Sequence, residues 1–468
     1  MRLVLFNRDL RAIDNTALIE AIDGTTPVIG CYIVTPKQWE QHDLSPMQAD
    51  LIYRRLGELE SELSDINVPL IYGCSDNFSS ANDWLISYCL KQSVTDIYLN
   101  SDYEFNEVQR ATSLSQAAST HNISVHTFSD KCMLAPGTVL NKQGGYFKVF
   151  TPFRKAWQNQ FSYAEVRKPK VSVEVFLPQE VSATLDDVFD YPRQDSSQWL
   201  VSTKDILARL RQFSDESARY YNTERDIPSI DGTSQLSPYL AIGALSVRQC
   251  IARLYYDSGN EALSEGAQVW LSELIWREFY QHLTHFEPKL SKHHGYLDWE
   301  RALRWPGKDS WFERWCEGKT GYPIVDAAMQ QLNQTGWMHN RLRMIVASFL
   351  TKDLNIDWRR GERYFMSKLV DGDFAANNGG WQWCASTGCD GQPYFRIFNP
   401  ITQGERFDSQ GEFIRTWLPE LRGVPNKFIH KPWTWSEFAS LAYPEPIVDH
   451  KTQREITLAL YKEAKDQF

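Results

Sequence analysis

Thirteen consecutive residues, Asp371-Gly-Asp-Phe-Ala-Ala-Asn-Asn-Gly-Gly-Trp-Gln-Trp383, bring together two carboxylates, two amides, a Gly-Gly pair and two tryptophans. Asp371 and Asp373 suit a ligand's hydroxyls or ring N–H groups, and they equally suit a metal ion. Asn377 and Asn378 supply donors and acceptors. Gly379-Gly380 lets backbone approach a flat or bulky group without a Cβ in the way, and Trp381 and Trp383 offer large polarizable faces.

Two helical patterns add to this stretch. In Trp270-Leu-Ser-Glu-Leu-Ile-Trp-Arg-Glu-Phe-Tyr280, the residues Glu273, Trp276, Arg277 and Tyr280 fall at i, i+3, i+4 and i+7 and so share one face. In Trp337-Met-His-Asn-Arg-Leu-Arg-Met344, the residues Trp337, Asn340, Arg341 and Met344 repeat that spacing, with Met338, Leu342, Ile345 and Phe349 on an opposite apolar face. Each helix alone is consistent with an ordinary salt-bridged surface. Together they offer carboxylate, amide, guanidinium and indole groups to a flat hydrogen-bonding ligand such as a base, with a second flat ligand as cofactor. The Gly232-Thr-Ser-Gln-Leu-Ser237 turn fits either a phosphate at a helix N-terminus or a plain Ser/Thr cap. No His-x3-His or carboxylate-rich set accompanies His293-His294 or the aspartates, so no metal site is expected.

The elements that must position these groups divide along the chain. Short apolar runs at 3–6, 27–34, 68–72 and 96–100 alternate with amphipathic stretches at 51–63 and 81–90, which predicts a parallel, Rossmann-like α/β domain over 1–130. No G-x-G-x-x-G or P-loop pattern follows its first strand. Residues 131–201 are punctuated by Pro152, Pro169, Pro178 and Pro192 and read as a connection. From 202 to 468 the periodicity is helical, with segments at 204–213, 247–256, 269–283, 324–333 and 341–351, so an all-α domain is expected.

Of the 17 tryptophans, 13 lie after residue 265, which points to an aromatic cofactor, base or sugar in the helical part. The net charge of −10 excludes a generic polyanion binder, although 341–368 holds seven basic and three acidic residues. No apolar run is long enough for a membrane span, no signal-peptide core follows Met1, and the eight cysteines lack a Cys-x-x-Cys pair. A cytoplasmic, monomeric protein without a membrane partner is expected.

These motifs, with Thr320-Gly-Tyr-Pro-Ile-Val-Asp-Ala-Ala-Met329, resemble the photolyase/cryptochrome family from Phe6-Asn-Arg-Asp-Leu-Arg-Ala-Ile-Asp-Asn15 to Tyr443-Pro-Glu-Pro-Ile-Val448. Bacterial class I cyclobutane pyrimidine dimer photolyases match best. The resemblance implies FAD in the helical domain and light-driven splitting of pyrimidine dimers in UV-damaged DNA. By position, Tyr221, Thr233, Ser234, Gln235, Leu236, Ser237, Arg277, Asp371, Gly372, Asp373 and Asn377 would hold FAD. Glu273, Trp276, Asn340, Met344 and Trp383 would line the dimer pocket. Arg225, Arg341 and Gln403, with Arg277 and Tyr280, would lie near the DNA. Trp305, Trp358 and Trp381 match the family's electron-carrying tryptophans. His42, Asn106, Glu107 and Lys292 fall where folate-using members hold the antenna methenyltetrahydrofolate, with 8-hydroxy-deazaflavin as the alternative. A blue-light cryptochrome is the competing function. Asn377 favours the repair branch, since cryptochromes often carry Cys or Asp there, and no signalling tail is expected beyond Phe468.

Overall fold

The computed structural model describes residues 1–23, 25–163, 165–172, 183–258 and 262–468. Strands β1 (Arg2–Phe6), β2 (Val28–Val34), β3 (Leu70–Cys74), β4 (Asp96–Asn100) and β5 (Ser124–Phe128) form one sheet in the order β3-β2-β1-β4-β5. Every pairing is parallel. All seven residues of β2 are buried, as the interior of a parallel sheet covered on both faces requires. Strand β5 was not expected, because Ser-Val-His-Thr-Phe is half polar. It forms the sheet's edge, where only one neighbour demands apolar contact.

Helix α1 (Pro46–Ser64) starts where the Ser45 hydroxyl accepts from the Met47 and Gln48 amides and Pro46 occupies the first turn. Helix α2 (Phe78–Lys91) starts on a capping box between Asn77 and Ser80, and α3 (Phe105–Ser119) follows β4. The chain winds outward through β1, β2 and β3, then returns to place β4 on the other side of β1. That reversal opens a crevice at the carboxyl ends of the strands, where doubly wound sheets take ligands.

By compactness the described chain divides into two units. The first comprises Met1–Arg219, Ser234–Ser291 and Val370–Ala375, and the second Tyr220–Thr233, Lys292–Leu369 and Ala376–Phe468. Beyond the sheet, the first holds α4 (Phe150–Gln160) and α5 (Glu265–Phe286). The later helices are α6 (Pro323–Thr335), α7 (Asn340–Ser348), α8 (Trp358–Met366), α9 (Phe374–Ala385) and α10 (His450–Asp466). Among the described residues every strand lies before residue 129, so a parallel α/β part precedes an all-α part. Trp315, Phe349, Trp358, Phe365 and Trp381 are buried in the second unit's core. Gly361 is required there, since a Cβ on it would stand 2.2 Å from the Trp381 ring. In the first unit Gly243 turns at φ 70°, with the Arg8 carbonyl 2.1 Å from where a Cβ would be.

One expected element is corrected. Trp337 and Met338 precede α7 and are not on it. Gly336, at φ 66°, ends α6 in the left-handed conformation, and the His339 ring accepts the Arg341 amide as N-cap. Asn340, Arg341 and Met344 keep their helical spacing, and Trp337 leaves that face. Met338, Leu342, Ile345 and Phe349 are all buried. A π-helical turn over Phe349–Asp353 takes over where α7 was expected to run on to 351.

Candidate active site

Helix α5 presents the expected polar face. Glu273, Trp276, Arg277 and Tyr280 are each half-buried, while Leu274, Ile275, Glu278 and Phe279 are buried. Trp276 stacks on Phe150 with centroids 3.7 Å apart and planes 9° from parallel, and Tyr280 lies 5.6 Å from Trp276. The Trp276 indole is thereby locked as a flat wall. Arg277 turns toward backbone, donating to the carbonyls of Lys131 at 2.8 Å and Leu240 at 3.5 Å.

The acidic stretch is held from a distance. Gln48 on α1 donates to the carbonyls of Val370 at 3.1 Å and Gly372 at 2.9 Å. Gln281 on α5 donates to both Asp373 oxygens, at 3.2 and 3.1 Å. Asp371 and Asp373 are each 7% exposed, so both carboxylates are fixed in a buried setting before α9 begins. In the second unit Asn377 donates to the Glu362 carbonyl at 3.0 Å, and Asn378 to the Glu362 carboxylate at 2.7 Å. Gln382 donates to Asn378 at 2.8 Å and accepts from the Tyr296 amide at 2.8 Å. This network orients the Asn377 amide with its oxygen left over as an acceptor.

The 232–237 turn leads into the short helix Ser237–Ala241, whose cap residue Leu236 makes no side-chain cap bond. Ser234 is held through its carbonyl by Arg209 at 3.0 Å, and Gln235 sits at φ 51°. Ser234, Gln235, Leu236, Ser237, Arg277 and Asp371–Asp373 belong to the first unit, and Tyr221, Thr233 and Asn377 to the second. Within the first unit, the hydroxyls and backbone amides of 234–237 suit phosphate and ribose, and the buried Asp371 and Asp373 carboxylates suit ribityl hydroxyls and ring N–H groups, a donor set that fits FAD. Among the described residues no group of three or more His, Cys, Asp or Glu is arranged for a metal ion.

The residues read as DNA-facing are Arg225, Arg341 and Gln403 in the second unit. Arg341 donates to Asp226 at 2.9 and 3.2 Å, and its guanidinium lies 4.5 Å from the Phe407 ring. Asn340 is exposed, and Met344 and Trp383 are half-buried against the unit's core. Trp358 and Trp381 are buried and Trp305 is half-buried. Trp381 makes edge contacts with Trp315 at 6.1 Å and Phe365 at 5.0 Å.

In the first unit His42 lies 2.9 Å from the Asn106 amide and 3.5 Å from the Glu107 carboxylate, while Lys292 belongs to the second unit. Burial and the charge of Glu104 raise Glu107 to about 7. His42 and Glu107 also line a cavity of about 560 Å³ with Arg8, Tyr32, Trp39 and Phe78, at the crevice where the strand order reverses.

Four residues escaped the sequence reading: Gln48, Gln281, Glu362 and Glu278. Glu278 is wholly buried and accepts from the amides of Met133 and Leu134 and, at 2.6 Å, from the Trp157 indole. A glutamate inside the apolar stripe of α5 was its one visible signal. Burial raises its carboxyl to about 7 from 4.5. Between those values the folded chain holds a proton that the unfolded chain releases, so stability falls as pH rises through that window. The loss is about 3 kcal/mol. Urea unfolding at pH 5 and pH 8 should show this slope, and Glu278→Gln should flatten it. An unchanged slope would locate the titration elsewhere.

The family model described as DNA photolyase matches residues 2–172, and that described as the FAD binding domain of DNA photolyase matches 270–463. A deoxyribodipyrimidine photo-lyase of Vibrio cholerae is 56% identical over 468 residues, covering 99% of this chain and 100% of that protein. The Escherichia coli protein of the same name is 49% identical over 472 residues, covering 99% and 98%. The crystal structure of a bacterial class III photolyase from Agrobacterium tumefaciens superposes with a TM-score of 0.90 at 34% identity, covering 99% and 98%. With both family models matched and full-length relatives of this identity, the chain belongs to the DNA photolyase family.

Proposed function

We propose that the protein is a light-dependent lyase that splits cyclobutane pyrimidine dimers in UV-damaged DNA. The observation that carries this reading is the α5 face, where Glu273, Trp276, Arg277 and Tyr280 stand together beside the locked Trp276–Phe150 stack, in a chain of this family. FAD, when bound and reduced, supplies the light-driven electron. Asp371, Gly372, Asp373, Arg277 and the 234–237 turn would hold it, and Tyr221, Thr233 and Asn377 are assigned to it by their match to the family's positions.

The chain's own work is positioning. On α5, Trp276 would wall the dimer and Glu273 would meet its polar edge; Trp383, Asn340 and Met344 are assigned to the same substrate by their match to the family's positions. In its protonated form Glu273 donates a hydrogen bond to a dimer carbonyl and so stabilises the negative charge that arrives there. Two carbon–carbon bonds of the dimer would break with no net redox change. Extruding the damaged pair costs a few kcal/mol, least where stacking is already poor. Arg225, Arg341 and Gln403 meet the DNA backbone, which a local basic rim permits on a chain of net charge −10. Trp305, Trp358 and Trp381 would supply electrons when the bound flavin is oxidised.

Residues 1–130 carry the antenna, 131–201 connect, and 202–468 hold flavin and dimer. The antenna assigned to His42, Asn106, Glu107 and Lys292 is methenyltetrahydrofolate, supported by the contacts of His42 with Asn106 and Glu107. The 560 Å³ cavity favours a second reading, a deazaflavin seated in the crevice, since its volume lies in the range that takes whole small ligands. The protein works as a monomer in the cytoplasm. None of the eight cysteines is in a disulfide, which fits a reducing compartment, and no helix among the described residues is long and apolar enough to cross a membrane.

The deciding assay illuminates purified, flavin-reduced protein with near-UV or blue light on dimer-containing DNA. Loss of dimers in light and none in darkness is expected. No light-dependent loss would remove the repair reading and leave the cryptochrome one.

A further inference from the structure

Trp358 is wholly buried, and two opposite charges touch its indole. Its ring N–H donates to Glu300 Oε1 at 3.3 Å. The same oxygen accepts from Arg359 Nη1 at 2.7 Å, and Glu300 Oε2 accepts from Arg359 Nη2 at 3.0 Å. Arg359 folds back so that its guanidinium lies 4.5 Å from the centre of the Trp358 ring. Its Nε donates to the His293 carbonyl at 2.6 Å, and Nη1 also donates to Asp357 at 3.2 Å. Glu300 is 5% exposed, and Gly295 makes the room for it, because a Cβ there would stand 2.4 Å from Glu300 Oε2.

A buried indole N–H needs an acceptor, and a backbone carbonyl would satisfy it. Here the acceptor is a full negative charge, and that charge is tied on both oxygens to a cation lying on the same ring. A carboxylate against the indole edge stabilises positive charge on the ring. A carboxylate that already holds two charge-assisted bonds is a poor base for the indole proton.

We infer that the Glu300–Arg359 pair controls the fate of positive charge on Trp358: the carboxylate stabilises the charge, and the guanidinium keeps the proton on the indole. The inference rests on the reading of Trp305, Trp358 and Trp381 as electron suppliers. In the step concerned, an oxidised Trp381 would take one electron from Trp358. Trp358 becomes a cation radical and Trp381 is restored. No bond breaks, because the N–H stays bonded to nitrogen. Trp305 then gives one electron to Trp358. Were the proton to cross to Glu300, Trp358 would be a neutral radical and would need a proton back before it could be reduced, so the transfer would stall. Glu300 and Arg359 act through Trp358 and are positioning residues.

The test uses the full chain loaded with oxidised FAD, in a Trp305→Phe background so that the charge stops at Trp358. Flash excitation is followed by transient absorption of the tryptophan radical. With Glu300 and Arg359 intact, the cation-radical spectrum is expected. Arg359→Met should replace it with the neutral-radical spectrum. Glu300→Gln should lower the radical yield severalfold while flavin content stays at the parent level. Arg359→Lys keeps the charge without the bidentate geometry and should give a mixture of the two spectra, which covers the case that Arg359→Met does not fold. Identical spectra and yields in all variants would overturn the inference. A Trp358→Phe control separates the two readings. If it blocks charge movement while the Glu300 and Arg359 variants change nothing, only this inference fails. If charge moves equally well without Trp358, the electron-supply reading fails first.

Discussion

Asp373→Ala protein is expected to leave purification nearly free of flavin, with affinity lowered at least about 30-fold. Asp373 is 7% exposed and receives both hydrogen bonds of the Gln281 amide group. Its charge also acts on buried Lys131, which Glu104 and Asp102 hold well above the usual lysine range despite burial. Removing one partner of such a buried set costs about 2–5 kcal/mol, because the groups left behind stay desolvated and uncompensated. The ratio of flavin to protein absorbance measures the loss. Asp373→Asn keeps an acceptor for Gln281 and should fold normally while still losing flavin. Full flavin occupancy in both variants would show that Asp373 only holds the turn before α9.

Trp305→Phe should slow photoreduction of oxidised flavin at least tenfold, taking a tenfold rate as about 1.4 kcal/mol of barrier. Repair by chemically pre-reduced protein should change little, since the dimer's electron does not pass through residue 305. Trp305 is the half-buried member of its set, beside Tyr461 at 6.4 Å, whereas Trp358 and Trp381 are enclosed. Steady illumination with an external reductant, followed by the repair assay on the same sample, gives both numbers. Equal losses in both would mean that Trp305 supports the fold of the second unit and supplies no electrons.

The site was legible wherever one helix carried its own pattern. The α5 face could be read because a 3.6-residue period places Glu273, Trp276, Arg277 and Tyr280 together whatever the helix packs against. The same logic failed at Trp337, where a single residue, Gly336, decides whether the helix has begun. It failed differently at β5, whose polar edge-strand sequence carries no hydrophobic alternation. Gln48 and Gln281 could not be found at all. Their amides reach carbonyls and carboxylates 322–324 and 92 residues away, and no local spacing encodes such a meeting. Glu300, Trp358 and Arg359 are a middle case, because Trp358-Arg359 is adjacent in sequence but the carboxylate between them comes from 58 residues earlier.

The discontinuity of the first unit has a consequence for synthesis. Its sheet and connecting helices are encoded before Arg219, yet the segment that Gln48 and Gln281 grip, Val370–Ala375, is made about 150 residues later. At about 5–20 residues per second the ribosome takes about 8–30 s to deliver it. During that interval the nascent chain carries a parallel sheet, itself slow to assemble, with the Gln48 amide and, once α5 is made, the Gln281 amide awaiting their partners. The chain is therefore most exposed to aggregation late in translation, and slowing elongation across 220–369 would lengthen that window.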